Sequence, residues 1–353
     1  MGGISIKYKI QKVSEFYISS AQNILSIQIN QQSSLLLLQI QNQNIKKLSL
    51  FQFKAKQIKH ILDIGLKFEV KCTYFKIAKG LFIFSLNEQN EGIFIKSSDQ
   101  LNISKYLMKL RTPCNSDSNS TIYSCLTINY NEDIIISGGI DQIIIWEQKN
   151  IWKLKQLLKV QGNVHSINLN PSETTLISVV QPSYRYFIYL HELSIEQIWT
   201  QKQCIEVGYD IRENICFIQD DVFVANTIGK KIVDVLFEYQ NDVLEFYKKN
   251  KDGIFQIQKQ KYQGKDWIQT CKLYDNQYSS RRKLLFCKLK SMLGGFSHQC
   301  IKFIRIQDQA KFILIQTIKF EEKFKSLEFT SDLQYVLLSL GNQIKIFEVN
   351  QNQ

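Results

Sequence analysis

The sequence has little of what long helices and flexible linkers require. Its 353 residues include only three prolines and fifteen glycines, and alanine is scarce beside isoleucine, lysine, glutamine and asparagine. Because alanine is the best helix former and isoleucine favours strands, this composition predicts a mostly β protein. Apolar residues make up 44% of the chain and aromatic residues 12%, which is enough for a sizeable core. A small scaffold held together by disulfides is excluded at this length.

Long apolar runs and targeting signals are also missing. No run approaches the roughly 18 residues that a membrane-spanning helix needs, and no signal peptide opens the sequence. Residues 1–6 come close to a myristoylation signal, but Ile6 stands where Ser or Thr is required. The eight cysteines lie far apart, without a C-x-x-C pair. We therefore expect an intracellular protein with reduced cysteines, located in the cytoplasm or alternatively in the nucleus.

The usual motifs of catalysis and metal binding are absent from the sequence. It contains no G-x-S-x-G, no P-loop and no G-x-G-x-x-G. His165 lies in an alternating strand, which favours a hydrogen-bonded structural residue, and neither Gly138-Gly139 nor Gly294-Gly295 precedes a helix start, so both pairs are interpreted as turns. We predict that the protein is not an enzyme, with no catalytic residue, cofactor or metal. The four histidines, none at a metal-binding spacing, are His60, His165, His191 and His298.

Positive charge is in excess, yet it is dispersed. The 44 basic and 32 acidic residues give a net charge of +12, but only six of the basic residues are arginine, the residue that best binds phosphate in a bidentate manner. The lysines occur mostly singly, as solubility and protection of sheet edges require. The main cluster is Arg281, Arg282 and Lys283, followed by Lys288 and Lys290. We interpret it as a charged hairpin loop, with a contact to anionic lipid (phosphoinositide) or nucleic acid as the alternative.

A unit of about 40 to 60 residues recurs along the chain. The clearest unit has strands at 122–128, 134–137, 143–146 and 151–160, whereas the last unit ends after three strands. For the fifth unit we favour 222–226 as the first strand, with 215–219 as the alternative. The first strands lie near residues 26, 72, 125, 166, 224, 271 and 327. This spacing predicts seven units, with six or eight as alternatives.

Four-stranded units with two apolar faces cannot stand alone and must pack face to face around an axis. We therefore predict one all-β domain over residues 1–353, a single β-propeller of seven four-stranded antiparallel blades. Residues 1–12 alternate apolar and polar side chains but belong to no unit, so we expect them to supply the missing outer strand of the last blade. The longest inserted loop is predicted at 96–121.

The segment 134–146, with the sequence IIISGGIDQIIIW, resembles the repeat signature of the WD-repeat β-propeller family. In that family a strand ends in Ser-Gly, the following turn carries Asp, and the next strand ends in Trp-Asp. Glu147 replaces the final Asp here, and Phe347-Glu348 and Phe246-Tyr247 stand at the corresponding places of other units. The resemblance implies structural roles, in the turn and between the blades, for four residues: Ser137, Gly138, Asp141 and Trp146.

The same resemblance implies a function. WD-repeat propellers present partner proteins or peptides with the face formed by the turns between second and third strands and by the loops between blades. We therefore expect a non-catalytic scaffold for protein–protein interaction within a multiprotein complex. The candidate contacts on that face are Asn42, Gly138, Ile140, Gln181, Tyr184 and Asn342.

Overall fold

The computed structural model describes residues 7–20, 22–30, 33–42, 45–64, 70–74, 81–86, 93–97, 108–110, 125–207, 215–233, 236–257, 283–287, 292–297, 300–307, 311–319, 325–330 and 332–352. Within these ranges the chain forms antiparallel strands and no helix, which confirms the predicted all-β class. Over the same residues, nothing resembles a helix of the length and apolar character needed to traverse a bilayer.

The strands follow the alternating and fully apolar stretches of the sequence. The first nine are β1 (Lys7–Tyr17), β2 (Gln22–Ile29), β3 (Leu35–Asn42), β4 (Ile45–Lys54), β5 (Gln57–Ile64), β6 (Val70–Tyr74), β7 (Leu81–Leu86), β8 (Ile93–Ser97) and β9 (Met108–Leu110). The next eleven are β10 (Cys125–Ile128), β11 (Ile134–Gly138), β12 (Ile140–Gln148), β13 (Trp152–Leu169), β14 (Thr175–Gln181), β15 (Tyr186–Leu193), β16 (Trp199–Val207), β17 (Ile215–Gln219), β18 (Val222–Val233), β19 (Leu236–Lys249) and β20 (Phe255–Ile257). The last seven are β21 (Lys283–Cys287), β22 (Met292–Ser297), β23 (Cys300–Gln307), β24 (Lys311–Lys319), β25 (Ser326–Phe329), β26 (Tyr335–Leu340) and β27 (Gln343–Asn352).

The chain divides into two compact units. The first comprises residues 1–111 and 285–353, and the second comprises residues 112–284. The first unit contains four-stranded sheets in the orders β2-β3-β4-β5, β6-β7-β8-β9 and β1-β27-β26-β25, together with the sheet β21-β22-β23-β24, whose first strand begins at Lys283. The second unit contains a seven-stranded sheet, β10 to β16 in sequence order, and the four-stranded sheet β17-β18-β19-β20.

The seven-stranded sheet contains two successive repeats that share one strand. β13 is 18 residues long; its first part pairs with β12, and its second part, from Asn163 onward, pairs with β14. The predicted strand at 151–160 and the predicted first strand of the following unit are therefore one continuous strand. Gly162, with φ at +112°, lies between the two parts.

The first strand of the chain completes the sheet of the last three strands, as the sequence predicted. β1 pairs antiparallel with β27, with Ile10 opposite Val349 and Phe16 opposite Ile344. Ile10 is buried in one apolar cluster with Val349 and Leu327. The pairing extends to Tyr17, which is further than the predicted segment 1–12, while residues 1–6 lie outside the described residues.

Within each unit, consecutive repeats bury their apolar faces against each other. Ile145 of β12 packs in a cluster with Leu176 of the following repeat. The opposite face of that repeat, including Ile177, packs against Phe223 of the next sheet. In the first unit, Leu36, on a sheet near the start of the chain, shares a cluster with Ile344 and Ile346 near its end. These contacts bury both faces of the repeat formed by β14, β15 and β16 and both faces of the sheet of β25, β26 and β27, as the repeat prediction requires.

Two assignments from the sequence were wrong. The first strand of the fifth repeat is Ile215–Gln219, which we had kept as the alternative, because Asp220 and Asp221 form the hairpin turn and residue 222 begins the second strand. Gly294 and Gly295 lie inside β22, opposite Phe303 and Lys302, and do not form a turn. Ladder pairing with a neighbouring strand overrides the weak local preference of glycine. Of the segment 96–121, residues 108–110 form β9, and residues 98–107 and 111–121 lie outside the described residues.

One hairpin geometry recurs between the first and second strands of four repeats. At Asn129, the side-chain oxygen accepts hydrogen bonds from the backbone N–H groups of Asp133 (3.0 Å) and Ile134 (2.8 Å), while the backbone N–H of Glu132 donates to the Asn129 carbonyl at 3.2 Å. Such side chains mimic a backbone turn. The residue three places after the capping residue has positive φ in every case. The four capping residues are Asn30, Asn129, Asn170 and Thr330.

Candidate partner-binding surface

Three segments of the second unit meet at one end of its strands. They are residues 138–142 between β11 and β12, residues 161–165 in the middle of β13, and residues 181–186 between β14 and β15. The ladder places Ile140 opposite Asn163, and Asn163 opposite Gln181. We call these three segments the loop-end surface. They contain four of the predicted contact residues: Gly138, Ile140, Gln181 and Tyr184.

Asp141 fixes the turn between β11 and β12. Its backbone has φ at +57°, and its carboxylate accepts a hydrogen bond of 2.6 Å from the backbone N–H of Gly162. Within the turn, the Gly139 N–H donates to the Gln142 carbonyl at 3.0 Å. This carboxylate therefore joins the turn to the middle of β13.

Two glycines allow the segments to approach each other closely. A Cβ at Gly162 would lie 2.3 Å from the carbonyl oxygen of Gln181, and a Cβ at Gly138 would lie 2.5 Å from Cγ1 of Val164. Both distances are far below van der Waals contact. Gly138 is buried, so it supports the surface from below and is unsuited to the partner contact that we predicted for it.

Gln181 is held in place by His165. The His165 ring nitrogen Nε2 and the Gln181 side-chain oxygen are 2.9 Å apart, and the His165 ring lies 5.7 Å from the ring of Tyr186. His165 is thus the hydrogen-bonded structural residue that the sequence predicted. The contact also fixes the side chain of Gln181, which is half-buried.

Among the exposed polar residues of the loop-end surface stand two large side chains, one apolar and one aromatic. Ile140 is 43% exposed and Tyr184 is 86% exposed. Next to Tyr184, Ser183 adopts positive φ (+65°), and the Arg185 guanidinium lies 2.7 Å from the Glu206 carboxylate. The surface therefore displays Ile140 on a turn whose backbone is hydrogen-bonded and Tyr184 on a turn that begins at Gln181, whose side chain is held by His165. This arrangement suits binding more than proton or group transfer.

Ser137 and Trp146, for which the resemblance implies structural roles, are both buried. Ser137 is fully buried and its hydroxyl donates to the Ile144 carbonyl at 3.4 Å, and Trp146 is buried in the adjacent strand. In the first unit, Asn42 is exposed at the end of β3. The side-chain amide of Asn342 donates a hydrogen bond to the Ile18 carbonyl at 3.4 Å. This amide, which we predicted to contact a partner, therefore already has a hydrogen-bond acceptor within the chain.

The structure describes one residue of the predicted basic cluster. Arg281 and Arg282 lie outside the described residues, and Lys283 is the first residue of β21. The interpretation of this cluster as an anion contact therefore stays a prediction.

A polar cluster surrounds Asp63 in the first unit. Partial burial tends to raise the pKa of this carboxyl, but hydrogen bonds from Lys47 (2.8 Å), Ser49 (2.6 Å) and His60 (3.0 Å) lower the pKa to about 2. A carboxylate held this firmly in its ionised form is a poor general base near neutral pH. In the part of the chain that the structure describes, no three His, Cys, Asp or Glu residues are grouped for metal binding.

The sequence interpretation missed a second set of residues. The fourth strand of three repeats begins with a buried aromatic residue that follows a roughly half-exposed isoleucine: Ile151-Trp152, Ile198-Trp199 and Ile254-Phe255. Trp152 and Trp199 are each followed four residues later by glutamine. The recurring Ile-aromatic pair was visible in the sequence, but its exposure pattern was not.

Comparison with known proteins identifies a solved structure of similar fold but does not identify a family. No family model matches the sequence, and no curated protein matches it either. Among solved structures, the chain is similar to Kuenenia stuttgartiensis hydrazine synthase, with a TM-score of 0.66 and 7% sequence identity over 94% of this chain and 96% of that chain. At this identity the likeness shows a shared fold alone.

Proposed function

We propose that the chain is a seven-bladed β-propeller of the WD-repeat type that serves as a non-catalytic platform for the assembly of other proteins. The proposal of seven blades is supported by counting the long sheet of the second unit as two repeats that share β13. The pairing of β1 with β27 supports the joining of the first and last blades. The partner is held at the loop-end surface.

The observation that carries the functional proposal is the exposure of Ile140 and Tyr184 on the loop-end surface. An exposed tyrosine offers a large contact area at a small cost in side-chain entropy, and aromatic residues dominate the binding energy of protein interfaces. Before a partner arrives, the hydrogen bond of Asp141 holds the Ile140 turn against Gly162, and the hydrogen bond of His165 holds the side chain of Gln181. Binding to such a preorganised surface requires little further ordering.

Site-specific crosslinking in native cells tests this proposal. A photoreactive phenylalanine analogue in place of Tyr184 should form a defined adduct with a partner protein, and Ile140→Ser in the same chain should strongly reduce that adduct. The analogue in place of Tyr17, an exposed tyrosine of the first unit, is the matched control. The proposed role of this surface would be contradicted if position 17 gave the same adduct. It would also be contradicted if position 184 gave no adduct, or gave one that Ile140→Ser leaves unchanged.

A further inference from the structure

A second exposed surface lies at the opposite end of the same strands. It comprises the turns 129–133, 148–151, 170–174, 194–198, 220–221 and 250–254, which we call the turn-end surface. Backbone hydrogen bonds bring the turns of each repeat together at this end. They run from the N–H groups of Gln148, Leu193 and Lys249 to the carbonyls of Asp133, Thr174 and Asp221, at 2.8, 2.9 and 2.8 Å.

Large apolar side chains project from these turns into solvent. Ile195 is 100% exposed. Four further residues on this surface are roughly half-exposed or more: Tyr130, Ile151, Ile198 and Ile254. Three of the isoleucines directly precede a buried aromatic residue, so the aromatic side chain fills the core and the isoleucine is left outside it. Exposed apolar residues grouped in this manner mark interaction sites.

The charge of the turn-end surface is opposite to that of the whole chain. Six exposed or half-buried carboxylates lie on these turns: Asp133, Glu173, Glu196, Asp220, Asp221 and Asp252. The same turns carry only two lysines, Lys149 and Lys251, and Lys149 lies 3.3 Å from the carboxylate of Glu147. Within a chain of net charge +12, this local excess of negative charge attracts cations and repels anionic lipid or nucleic acid.

Hydrogen bonds between neighbouring repeats join the turns into one surface. The Tyr130 N–H donates to the Glu173 carboxylate, and the Ser172 N–H donates to the Asp220 carboxylate at 2.7 Å. The hairpins of three successive repeats are thereby connected. The turns that carry Tyr130, Glu173 and Asp220 are consequently held next to each other on this surface.

We propose that the turn-end surface of the second unit binds a cationic amphipathic segment of another protein. Basic side chains of the segment face the carboxylates, and its apolar side chains cover the isoleucines. This surface is separate from the loop-end surface, so the proposal goes beyond the assembly function above and can fail independently of it.

Peptide binding by the full-length chain tests the proposal. The probe is a fluorescent synthetic peptide of alternating lysine and leucine, measured by fluorescence anisotropy. Two control peptides keep the alternating pattern: the first replaces leucine with serine, and the second replaces lysine with glutamate. We expect the lysine–leucine peptide to bind at least about tenfold more tightly than either control, because each control lacks one of the two complementary features. A cationic protein without a local acidic surface would prefer the glutamate–leucine peptide, and that preference would overturn the proposal.

Two variants locate the binding site on the chain. The double variant Ile195→Ser, Ile198→Ser should weaken binding of the lysine–leucine peptide by about tenfold or more. Glu196→Lys should also weaken binding of the lysine–leucine peptide. This loss should grow as the salt concentration is lowered, because the repulsion between the new lysine and the peptide is then less screened. The matched control Ile140→Ser removes an exposed isoleucine at the loop-end surface and should leave peptide binding unchanged. Equal binding by the double variant and the wild type would place the peptide elsewhere and refute the proposal.

Sedimentation of the protein alone tests whether a second copy of this chain occupies the turn-end surface. If the turn-end surface instead joins two copies of this chain, the wild type will form dimers that Ile195→Ser, Ile198→Ser dissociates, and the proposal of a basic partner is then wrong. A wild type that stays monomeric while it binds the lysine–leucine peptide supports the proposal.

Discussion

Gln156 and Trp199 form a two-way hydrogen-bonded pair between consecutive repeats. The Gln156 side-chain nitrogen donates to the Trp199 carbonyl at 2.7 Å, and the Trp199 N–H donates to the Gln156 side-chain oxygen at 2.8 Å. Gln203 makes the same pair with Phe255 of the next sheet, with both distances at 2.9 Å. In each case a side-chain amide satisfies the outward backbone groups of an edge strand, which would otherwise be open to pairing with another chain.

Gln156→Ala is expected to destabilise the protein by about 1–3 kcal/mol, because it leaves the backbone N–H and carbonyl of Trp199 without these partners. Urea denaturation followed by fluorescence measures the change in the free energy of unfolding. The control is Gln201→Ala, an exposed glutamine on the strand that Gln156 contacts. A loss of stability no greater than that of Gln201→Ala would show that solvent replaces the glutamine fully.

Gly162→Ala should be strongly destabilising, while Gly253→Ala should cost only about 1 kcal/mol. Both glycines have positive φ, but a Cβ at Gly162 would lie 2.3 Å from the Gln181 carbonyl oxygen, whereas at Gly253 the nearest atom is 3.6 Å away. The difference in melting temperature between the two variants isolates this steric contact. Similar melting temperatures would contradict the close approach of β13 to the turn that follows β14.

Deletion of residues 1–10 is expected to lower stability by about 3–5 kcal/mol, because it removes buried Ile10 and part of the β1–β27 ladder. Deletion of residues 1–6 leaves all of β1 in place and serves as the control. Thermal unfolding of both truncated proteins provides the comparison. If the longer deletion melts at the temperature of the shorter one, the N-terminal strand does not stabilise the last sheet.

Acid should destabilise the fold through His191. Its side chain is buried, and desolvation lowers the pKa of His191 from 6.5 to about 4 in the folded protein. The unfolded chain binds the proton more readily, so stability is complete above about pH 6.5 and falls by about 3 kcal/mol as the pH decreases toward 4.

The variant His191→Gln should unfold with a weaker dependence on pH across this window. Urea denaturation at several pH values between 4 and 7 measures it, with His60→Gln as a control at an exposed histidine. An unchanged pH dependence in His191→Gln would exclude His191 as the source of acid sensitivity.

Local patterns were sufficient to predict most strands. The apolar stretch before Gly138 and the alternation after Ser326 both became strands with nearly the expected bounds. The prediction was wrong at Gly294 and Gly295, where the local preference for a turn conflicts with the strand pairing. It was also incomplete for two of the predicted contacts, because the burial of Gly138 in the second unit and the hydrogen bond of Asn342 in the first unit depend on residues distant in sequence.

By itself, the amino-acid sequence determined the β class and the repeat, because alternation of side chains along a strand is a local property with a period of two residues. Tertiary structure alone decided which isoleucines are exposed. Ile144 and Ile151 are equally apolar, yet Ile144 is fully buried and Ile151 is half-exposed. That difference depends on what packs against each residue, since burial is set by neighbours that come from other parts of the chain.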